Sequence, residues 1–560
     1  MSGGPLDRRA LLRGAGGLLA GCAAATLATG RGGGPGLAAP GATPVAGTGP
    51  ATRGGTARVV SVGEPESLHP WQARSAAAAD ILDGVCDGLL RLDATGALQP
   101  ALAESFAISD DGLTYRFALR KGVAFHNGEP FGGRDVVASW QAVADGRFGP
   151  APAGWDRVVA VDAPRTAVAE FRLAAPYAPF LATVATTPLL PAGLLGSGAA
   201  DLGERLARAP VGTGPFTVER WDAGREVGLA RFAGWWGGGP PLDGIVVRFA
   251  PDRAAAAGAL ADRAADLVAG GGTLGLGPAA DPVAAVPGAT VVRHPTRTWH
   301  HLDLKQVGFL REAAVRQALD FAVPRDALFG EVLGGRGVPA FADQPPAGWA
   351  YDAALSPRPH DPAAAARLLD GAGLAADADG VRARDGEPFF VELWSVAGDP
   401  TAAAIAGRVA AAWRALGIVA VPRAAPAADL WGPLGYQFSD RMTACLYAWT
   451  NGNDPDNRYY WHASQIPKSP WGSGGNLMGF FHRFAFQDRI DGLIEAGIAA
   501  ASVAERTATY HASQALLAEQ APALFLFWEE AFPAVAARLR GPRPNPHTGL
   551  LWNAGEWWLG

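Results

Sequence analysis

Apolar and polar residues alternate along this chain with two periods, one typical of strands and one typical of helices. A two-residue period over residues 112–120 and a β-branched run at residues 56–62 predict strands. Ala-rich segments with a helical period predict helices near residues 76–90, 133–144, 253–266, 312–322, 361–372, 401–416, 486–500 and 503–519. Further strand-like runs lie between these helices, so the pattern predicts α/β lobes.

The chain is long enough to bury a large core. Its 560 residues, 49% of them hydrophobic, correspond to about three lobes at roughly 150 residues per domain. The net charge of −6 is small for this length, and the sequence has no long basic run. We therefore expect a globular protein that does not bind nucleic acid.

The first 27 residues are typical of a targeting segment. Arg8 and Arg9 precede a run of small and apolar residues from 14 to 27, which is too short to span a membrane. This order predicts a signal peptide of the twin-arginine type. The residues Leu19–Cys22 also resemble a lipobox, in which Cys22 is lipidated; the alternative is an ordinary cysteine that cleavage further along removes.

Residues 28–56 are rich in Gly, Pro, Ala and Thr and have almost no large apolar side chains. Such a segment buries too little surface to offset its ordering entropy, so we predict a disordered tether. The two remaining cysteines, Cys86 and Cys445, lie in apolar surroundings and are predicted to be buried free thiols, although sequence alone leaves a disulfide open.

The sequence has none of the compact catalytic motifs. It contains no Gly-x-Ser-x-Gly, no His-Glu-x-x-His and no Cys-x-x-Cys, which favours a protein that is not an enzyme. His300 and His301 are adjacent in a predicted strand, where side chains alternate between faces, so the two cannot hold one metal ion together. We therefore predict no catalytic residue, no metal site and no cofactor.

Several motifs occur in a specific order along the chain. Residues 101–140 combine a polar turn, a strand, a Gly-Glu-Pro turn and a helix start; Gly212–Phe216 read GTGPF and Trp235–Pro240 read WWGGGP about twenty residues later. Asp454–Asn457 read DPDN. Over about residues 57–540 the chain resembles the extracytoplasmic solute-binding proteins of family 5, the peptide- and nickel-type substrate-binding proteins of ABC importers.

This resemblance implies a fold and a domain organisation. The fold is the three-lobed type II periplasmic-binding-protein architecture, in which a ligand is enclosed between two lobes. The implied segments are residues 57–87, 191–295 and 525–560 for lobe I, 88–190 for an inserted lobe, and 296–524 for lobe III. The chain is expected to return to lobe I within residues 521–528. The implied partners are a small solute and a membrane permease with its ATPase, and we expect a monomer.

The segment after Trp449 is the richest indication of a binding site. In dipeptide- and oligopeptide-binding relatives, the Trp is followed three residues later by an Asp that pairs with the α-ammonium group of the ligand. Here the loop is one residue shorter, and residues 450–453 read TNGN, without a carboxylate. A buried ammonium group without a countercharge costs several kcal/mol, so this departure changes ligand preference. Trp449, Thr450 and Asn451 are the predicted ligand contacts; Asp454 is predicted to brace the loop, and Asn451→Asp is expected to favour unblocked peptides.

Three further residues complete the predicted site. On the opposite wall Arg74 offers a bidentate group for a carboxylate or phosphate, although it is also typical of a solvated helix start. Trp299 and His301 share one face of a strand that lies near the cleft in relatives. An absent acid and an added base favour a neutral or anionic ligand. A peptide or peptide-like solute is the implied cargo; oligosaccharides, metal chelates, and a secreted hydrolase or sensory role on the same scaffold stay open.

Overall fold

The computed structural model describes residues 51–149, 154–270, 281–432, 435–469 and 474–560. The predicted signal peptide, Cys22 and most of the predicted tether lie outside these residues. Within the tether, the backbone N–H groups of Gly54 and Gly55 donate hydrogen bonds to the Pro241 carbonyl and the Asp243 carboxylate. The first strand then begins at Thr56. The prediction of a disordered tether up to residue 56 is therefore wrong for its last residues, which are pinned to the body.

The first layer is a seven-stranded mixed sheet. In spatial order its strands are Ala289–Val291, Ala534–Ala536, Leu267–Val268, Thr56–Val62, Gly244–Ala250, Glu226–Arg231 and Phe216–Asp222. The helices Ala76–Leu82, Leu202–Arg208 and Arg253–Ala261 accompany it. Gly212 and Gly214 of the GTGPF motif pass so close to Val85 that a Cβ atom would lie 2.0 Å and 2.7 Å from its backbone, which explains the glycines. We call this layer lobe I.

The second layer, lobe III, is built on a six-stranded sheet. In spatial order its strands are Val338–Pro339, Ala523–Ala531, His294–Leu304, Ala444–Thr450, Phe390–Val396 and Val419–Ala425. The longer helices of this part of the chain are Ala313–Phe321, Pro362–Gly371, Pro400–Ala415, Gln487–Ala499 and Val503–Gln520. One sheet face packs its Leu and Val side chains against the first three of these helices.

A four-stranded antiparallel sheet forms the inserted lobe. Its strands lie in the order Ala103–Ile108, Thr114–Leu119, Val168–Leu173 and Val158–Arg165, and the helix Gly133–Ala144 packs against them. The backbone N–H of Ala178 donates to the carbonyl of Ile498, so this lobe also contacts the helices of lobe III. Short two- and three-stranded sheets occur at Leu90–Leu92 with Leu98–Pro100, at Ala375–Ala376 with Arg382–Arg384 and Glu387–Pro388, and at Leu539–Arg540 with Trp558–Leu559.

The chain crosses between the two large sheets twice, at neighbouring positions. One crossing joins Ala289–Val291 to His294–Leu304, and the other joins Ala523–Ala531 to Ala534–Ala536. The N–H of Val292 donates to the carbonyl of Pro533 at 2.8 Å, so the two crossing segments lie side by side. The second crossing corrects the predicted boundary at residue 525, because the whole strand Ala523–Ala531 pairs within lobe III and the chain leaves it only at Phe532.

The acids that end this strand are paired, as their position next to an apolar run requires. Glu529 lies 2.8 Å from Nε2 of His300, and the partly exposed guanidinium of Arg293 pairs with the buried carboxylate of Glu530. Cys86 and Cys445 are buried free thiols, as predicted. In the part of the chain that the structure describes, no helix is both long and apolar enough to cross a bilayer.

Candidate functional site

A cavity of about 520 Å³ lies between lobe I and lobe III. The segment Arg74–Leu92 and the C-terminal residues 547–552 form its lobe I side. Arg297, Thr298, Thr450 and Asn453 line it from lobe III, and Thr186 and Pro188 of the inserted lobe complete the wall. The volume lies within the range typical of small-molecule sites, about 300–1,000 Å³.

The lobe I wall is presented by the short helix Ala76–Leu82. Ser75 caps this helix by accepting a hydrogen bond from the N–H of Ala78, and the carboxylate of Glu66 in turn accepts from the N–H groups of Arg74 and Ser75. Ala78, Ile81 and Leu82 point into the core. This orientation leaves Asp80, in the last turn, and Asp83, the C-cap, at the cavity, and Asp87 follows in the segment after the helix.

Each of these three carboxylates accepts at least one hydrogen bond. Asp80 accepts from the N–H of Leu550 at 2.7 Å, and Asp83 accepts from the N–H of Gly549. Asp87 accepts from Thr213 Oγ1 at 2.9 Å and from Trp236 Nε1 at 3.1 Å. Asp87 therefore ties together the GTGPF and WWGGGP motifs that the sequence singled out, and its carboxylate is a structural element of lobe I.

Asp80 and Asp83 form no close ion pair, although the positive charge of Arg297 acts on Asp83 and opposes the rise of its pKa. No Lys, Arg or His of the described residues lies within 4.0 Å of either carboxylate, nor of Asp87. Burial raises the pKa of Asp80 to about 7, with a further contribution from the negative charge of Asp83. Burial likewise raises the pKa of Asp83 to about 6 against the opposing hydrogen bond from Gly549.

The lobe III wall carries the opposite charge. Arg297 donates from Nε to the Pro546 carbonyl at 2.9 Å and from Nη1 to the Asn451 carbonyl, and it forms no ion pair with any described residue. Burial lowers the pKa of Arg297 to about 10, which leaves it charged at neutral pH. Next to it, Thr298 Oγ1 and Thr450 Oγ1 lie 2.9 Å apart at the cavity.

His547 lines the lobe I side of the cavity, near enough to Arg297 for that positive charge to act on its ring. It is 8% exposed, and neither ring nitrogen has a hydrogen-bond partner among the described residues. Burial lowers its pKa to about 4, so the ring is neutral at pH 7. A neutral imidazole with both nitrogens unsatisfied can accept and donate one hydrogen bond each.

Two predicted contacts, Arg74 and Thr450, line this cavity. Arg74 is exposed, and its Nη1 donates to the carbonyls of Trp71 and Ala73 at 3.0 Å and 3.1 Å. Trp449 is partly buried beside Tyr447, Tyr459 and Tyr460, with ring centroids 5.1–5.5 Å away, and its Nε1 has no partner among the described residues.

Three other predicted contacts lie behind the wall. Trp299 and His301 are 0% exposed, with ring centroids 4.4 Å apart, so they share a strand face as predicted but pack in the interior. Asn451 is 6% exposed; its Oδ1 accepts from Trp299 Nε1 at 2.8 Å, and its Nδ2 donates to the Asp343 carbonyl. As a correction, Asn451, Trp299 and His301 shape the wall in this conformation and do not reach the cavity, because packing and internal hydrogen bonds already occupy them.

Asp454 braces its loop, as the sequence predicted. Both of its carboxylate oxygens pair with the guanidinium of Arg506, at 2.9 Å for the Nη1 contact, and one of them also accepts from the N–H of Asp456 at 3.0 Å. Both side chains of the ion pair are at least nine-tenths buried. Arg506 lies in the helix Val503–Gln520, so this helix holds the loop that follows Trp449.

Sequence reasoning missed Asp80, Asp83, Arg297 and His547. The first two had a usable signal, because two acids three residues apart stand beside apolar positions in a predicted helix. Arg297 and His547 had none, since each enters the cavity through a fold that brings residues far apart in sequence together. No group of three or more His, Cys, Asp or Glu side chains among the described residues is placed to hold a metal ion.

Comparisons with known proteins agree on one family. The family model described as bacterial extracellular solute-binding proteins, family 5 middle, matches residues 97–469. Protein XP55 of Streptomyces lividans is 32% identical over 359 residues, which cover 63% of this chain and 64% of that protein. The dipeptide-binding protein of Escherichia coli K12 is 26% identical over 527 residues, 87% of this chain and 91% of that protein.

A solved structure shares the fold over nearly the whole chain. The oligopeptide-binding protein AppA of Bacillus subtilis, determined in complex with a nonapeptide, matches with a TM-score of 0.72 at 24% sequence identity. The match covers 91% of this chain and 100% of the AppA chain.

Proposed function

The chain belongs to the bacterial extracellular solute-binding proteins of family 5, and on that premise we propose that it captures a peptide or peptide-like solute for an ABC importer. The solute is enclosed between lobe I and lobe III and is then delivered to a membrane permease with its ATPase. The protein acts as a monomer outside the cytoplasm and binds its cargo without changing it.

The observation that carries this proposal is the cavity between the two large sheets. Its walls come from both lobes, and charged side chains of opposite sign face each other across it. A solute that contacts both walls stabilises the arrangement in which the lobes are close together. The two adjacent crossing segments are the only covalent connections between the sheets in the described residues, which suits a hinge.

A peptide is the cargo that best fits the lining of the cavity. Peptides carry charged ends and main-chain donors and acceptors, and the walls supply carboxylates, a guanidinium and hydroxyl groups. The named relatives include a dipeptide-binding protein and an oligopeptide-binding protein. An extracytoplasmic location follows from the predicted signal peptide, and lipidation of Cys22 stays a prediction.

Incubation of the purified protein with a mixed library of dipeptides and tripeptides tests this function. Native mass spectrometry before and after dialysis identifies what is retained, and analysis of the released solutes shows whether they are intact. We expect retention of unchanged peptides. Retention of no peptide contradicts the proposed cargo, and cleavage of the peptides contradicts a carrier and indicates a hydrolase.

A further inference from the structure

A second cavity, of about 450 Å³, lies between the inserted lobe and lobe III. The inserted lobe lines it with Arg157, Tyr177 and Thr183, among others, and lobe III lines it with residues between Gly452 and Gln465. Its volume is similar to that of the cavity between lobe I and lobe III, and no described residue lines both. It is therefore a separate space, to which the proposed function assigns no role.

The loop after Trp449 separates the two cavities. Thr450 and Asn453 line the cavity between lobe I and lobe III, whereas Gly452 and Asp454 line the second cavity. A narrow space of about 20 Å³ lies between the two and is lined by Gly452, Asn453 and Asp454. A solute that extends out of the first cavity at this loop therefore reaches the second cavity at Gly452.

Gly452 leaves this route open. It is exposed, and a Cβ atom built on it would meet no atom of the described residues within 4 Å. Its backbone lies outside the left-handed region, so the conformation of the loop does not require glycine here. The loop itself is held by Arg506, whose guanidinium pairs with the buried carboxylate of Asp454. A larger side chain at position 452 would therefore extend into the space between the cavities and leave the loop in place.

The second cavity contains an exposed aromatic side chain, which is an independent indication of a ligand. Tyr459 is 49% exposed although it lines a concave wall. Its ring contacts those of Trp449 and Tyr460, with centroids 5.5 Å and 5.6 Å away, so neighbouring rings position it. Such a ring offers a large contact area at a low cost in entropy. A ligand that covers Tyr459 removes apolar surface from water, which is favourable.

The polar groups of the second cavity suit a main chain, which offers donors and acceptors without a net charge. Arg157 supplies donors from the inserted lobe; its guanidinium lies 5.7 Å from the ring centroid of Tyr177 and pairs with the exposed Asp156 at 3.5 Å. Asp456 supplies acceptors from lobe III, and its carboxylate also accepts from the N–H of Arg458 at 2.9 Å. Groups of both signs therefore line the cavity, and an amide can donate to one and accept from the other.

We propose that the second cavity is a subsite for the part of a peptide that extends beyond the cavity between lobe I and lobe III. The peptide passes Gly452, and its further residues pack against Tyr459. The ligand class is an extended peptide longer than a tripeptide, since the second cavity nearly doubles the available volume and each extended residue adds about 3.3–3.6 Å of length. This assignment rests on the proposed function and adds the length of the peptide to it.

The test compares the retention of a pentapeptide library with that of a tripeptide library of the same composition. We expect the wild-type protein to retain pentapeptides about tenfold better, which corresponds to about 1.4 kcal/mol, because their additional residues cover Tyr459 and fill the second cavity. Gly452→Leu should remove this preference, since its side chain fills the space between the cavities. Tyr459→Ala should weaken the preference, whereas Tyr459→Phe should keep it because the ring remains.

Gly492→Leu is the matched control. It makes the same exchange at an exposed glycine of the helix Gln487–Ala499, where a Cβ atom also meets no atom of the described residues within 4 Å. It should leave the preference unchanged, and circular dichroism verifies the fold of each variant.

A second measurement locates the peptide in the wild-type protein and needs no variant. Two pentapeptides carry a photoreactive benzophenone residue, one at the first position and one at the last. We expect one of the two to crosslink to residues 154–183 of the inserted lobe, identified by mass spectrometry of the digested product.

The outcomes separate this subsite from the proposed function. If tripeptides bind and pentapeptides bind no better, the subsite is wrong and the carrier function stands. The same conclusion follows if Gly452→Leu keeps the preference, if Gly492→Leu loses it equally, or if neither pentapeptide crosslinks to the inserted lobe. If neither library binds, the proposed cargo itself fails.

Discussion

At the scale of single residues, the most specific expectation concerned the loop after Trp449, whose residues 450–453 carry no carboxylate. The sequence predicted that Asn451 contacts the ligand. The structure gives both polar ends of the Asn451 side chain to internal partners, Trp299 Nε1 and the Asp343 carbonyl. The nearby carboxylates that face the cavity come instead from the other lobe, at Asp80 and Asp83.

Asn451→Asp tests this view of the loop. A carboxylate at this position places an oxygen against the Asp343 carbonyl, where the amide now donates a hydrogen bond, so two acceptors meet in a buried site. We expect a loss of about 1–3 kcal/mol in the free energy of unfolding, measured by urea denaturation, because a buried acceptor loses its donor.

The same variant should retain the wild-type preference between unblocked and acetylated peptides. Asn453→Asp is the matched control because it makes the same exchange in the same loop, at a residue that lines the cavity. The Oδ1 atom of Asn453 has no partner among the described residues. A stable Asn451→Asp variant whose preference for unblocked peptides rises would show that residue 451 contacts the ligand after all.

At the scale of elements, the loop after Trp449 depends on a helix far along the chain. Arg506, in the helix Val503–Gln520, pairs with both carboxylate oxygens of Asp454, and it also donates to Tyr510 Oη at 3.0 Å. The ion pair and the nearby negative charges raise the pKa of Arg506 even though burial alone would lower it. The wall of the cavity at Thr450 and Asn453 is therefore held by a contact outside the cavity.

Arg506→Met removes this brace while keeping much of the side-chain volume. We expect a loss of about 3–5 kcal/mol in the free energy of unfolding, since Asp454 is left buried without its counterion. Peptide retention should fall as well, because the loop that carries Asn453 is released. Chemical denaturation and library retention measure the two effects.

Arg116→Met is the control for this variant. Arg116 pairs with Glu170 at 2.5 Å on an exposed surface of the inserted lobe, where an ion pair contributes about 0–1 kcal/mol. Equal effects of the two substitutions would contradict a special role for the buried pair.

Most elements could be predicted because their signal is local. The helix expected at residues 133–144 is observed as Gly133–Ala144, and the one expected at 503–519 is observed as Val503–Gln520. The helix expected at 76–90 ends earlier, at Leu82, since Asp83 and Gly84 begin a turn that brings Asp87 to Thr213 and Trp236. The boundary at residue 525 failed because strand pairing, which no local pattern specifies, keeps Ala523–Ala531 in lobe III.

The site was less predictable than the fold. Thr450 and Arg74, marked by family motifs or chain position, line the cavity, and their contact with a ligand stays a prediction. Trp299 and His301 lie on the expected strand face, but aromatic side chains such as Tyr460, Trp461 and Phe525 cover that face. Whether a strand face is covered depends on segments more than a hundred residues away, and periodicity carries no information about them.

At the scale of the whole molecule, the type II periplasmic-binding-protein fold expected from the motifs is the fold of this chain. The seven-stranded and the six-stranded sheet are joined by two neighbouring crossing segments, at residues 291–294 and 531–534. Two adjacent crossing segments can bend together while each sheet stays rigid. The cavity lies between the bodies that such bending would separate, which connects the fold to the capture of a solute.

The most direct test of the account is the distance between the lobes in solution, with and without peptide. In protein prepared without residues 1–27, which contain Cys22, spin labels at Ala223→Cys in lobe I and Asp379→Cys in lobe III react selectively, since Cys86 and Cys445 are buried. Pulsed electron paramagnetic resonance then gives the distance distribution between the labels. We predict that a saturating amount of the unblocked peptide library shifts this distribution to a single, narrower population that represents the closed arrangement. An identical distribution with and without bound peptide would contradict the claim that two lobes close on the solute.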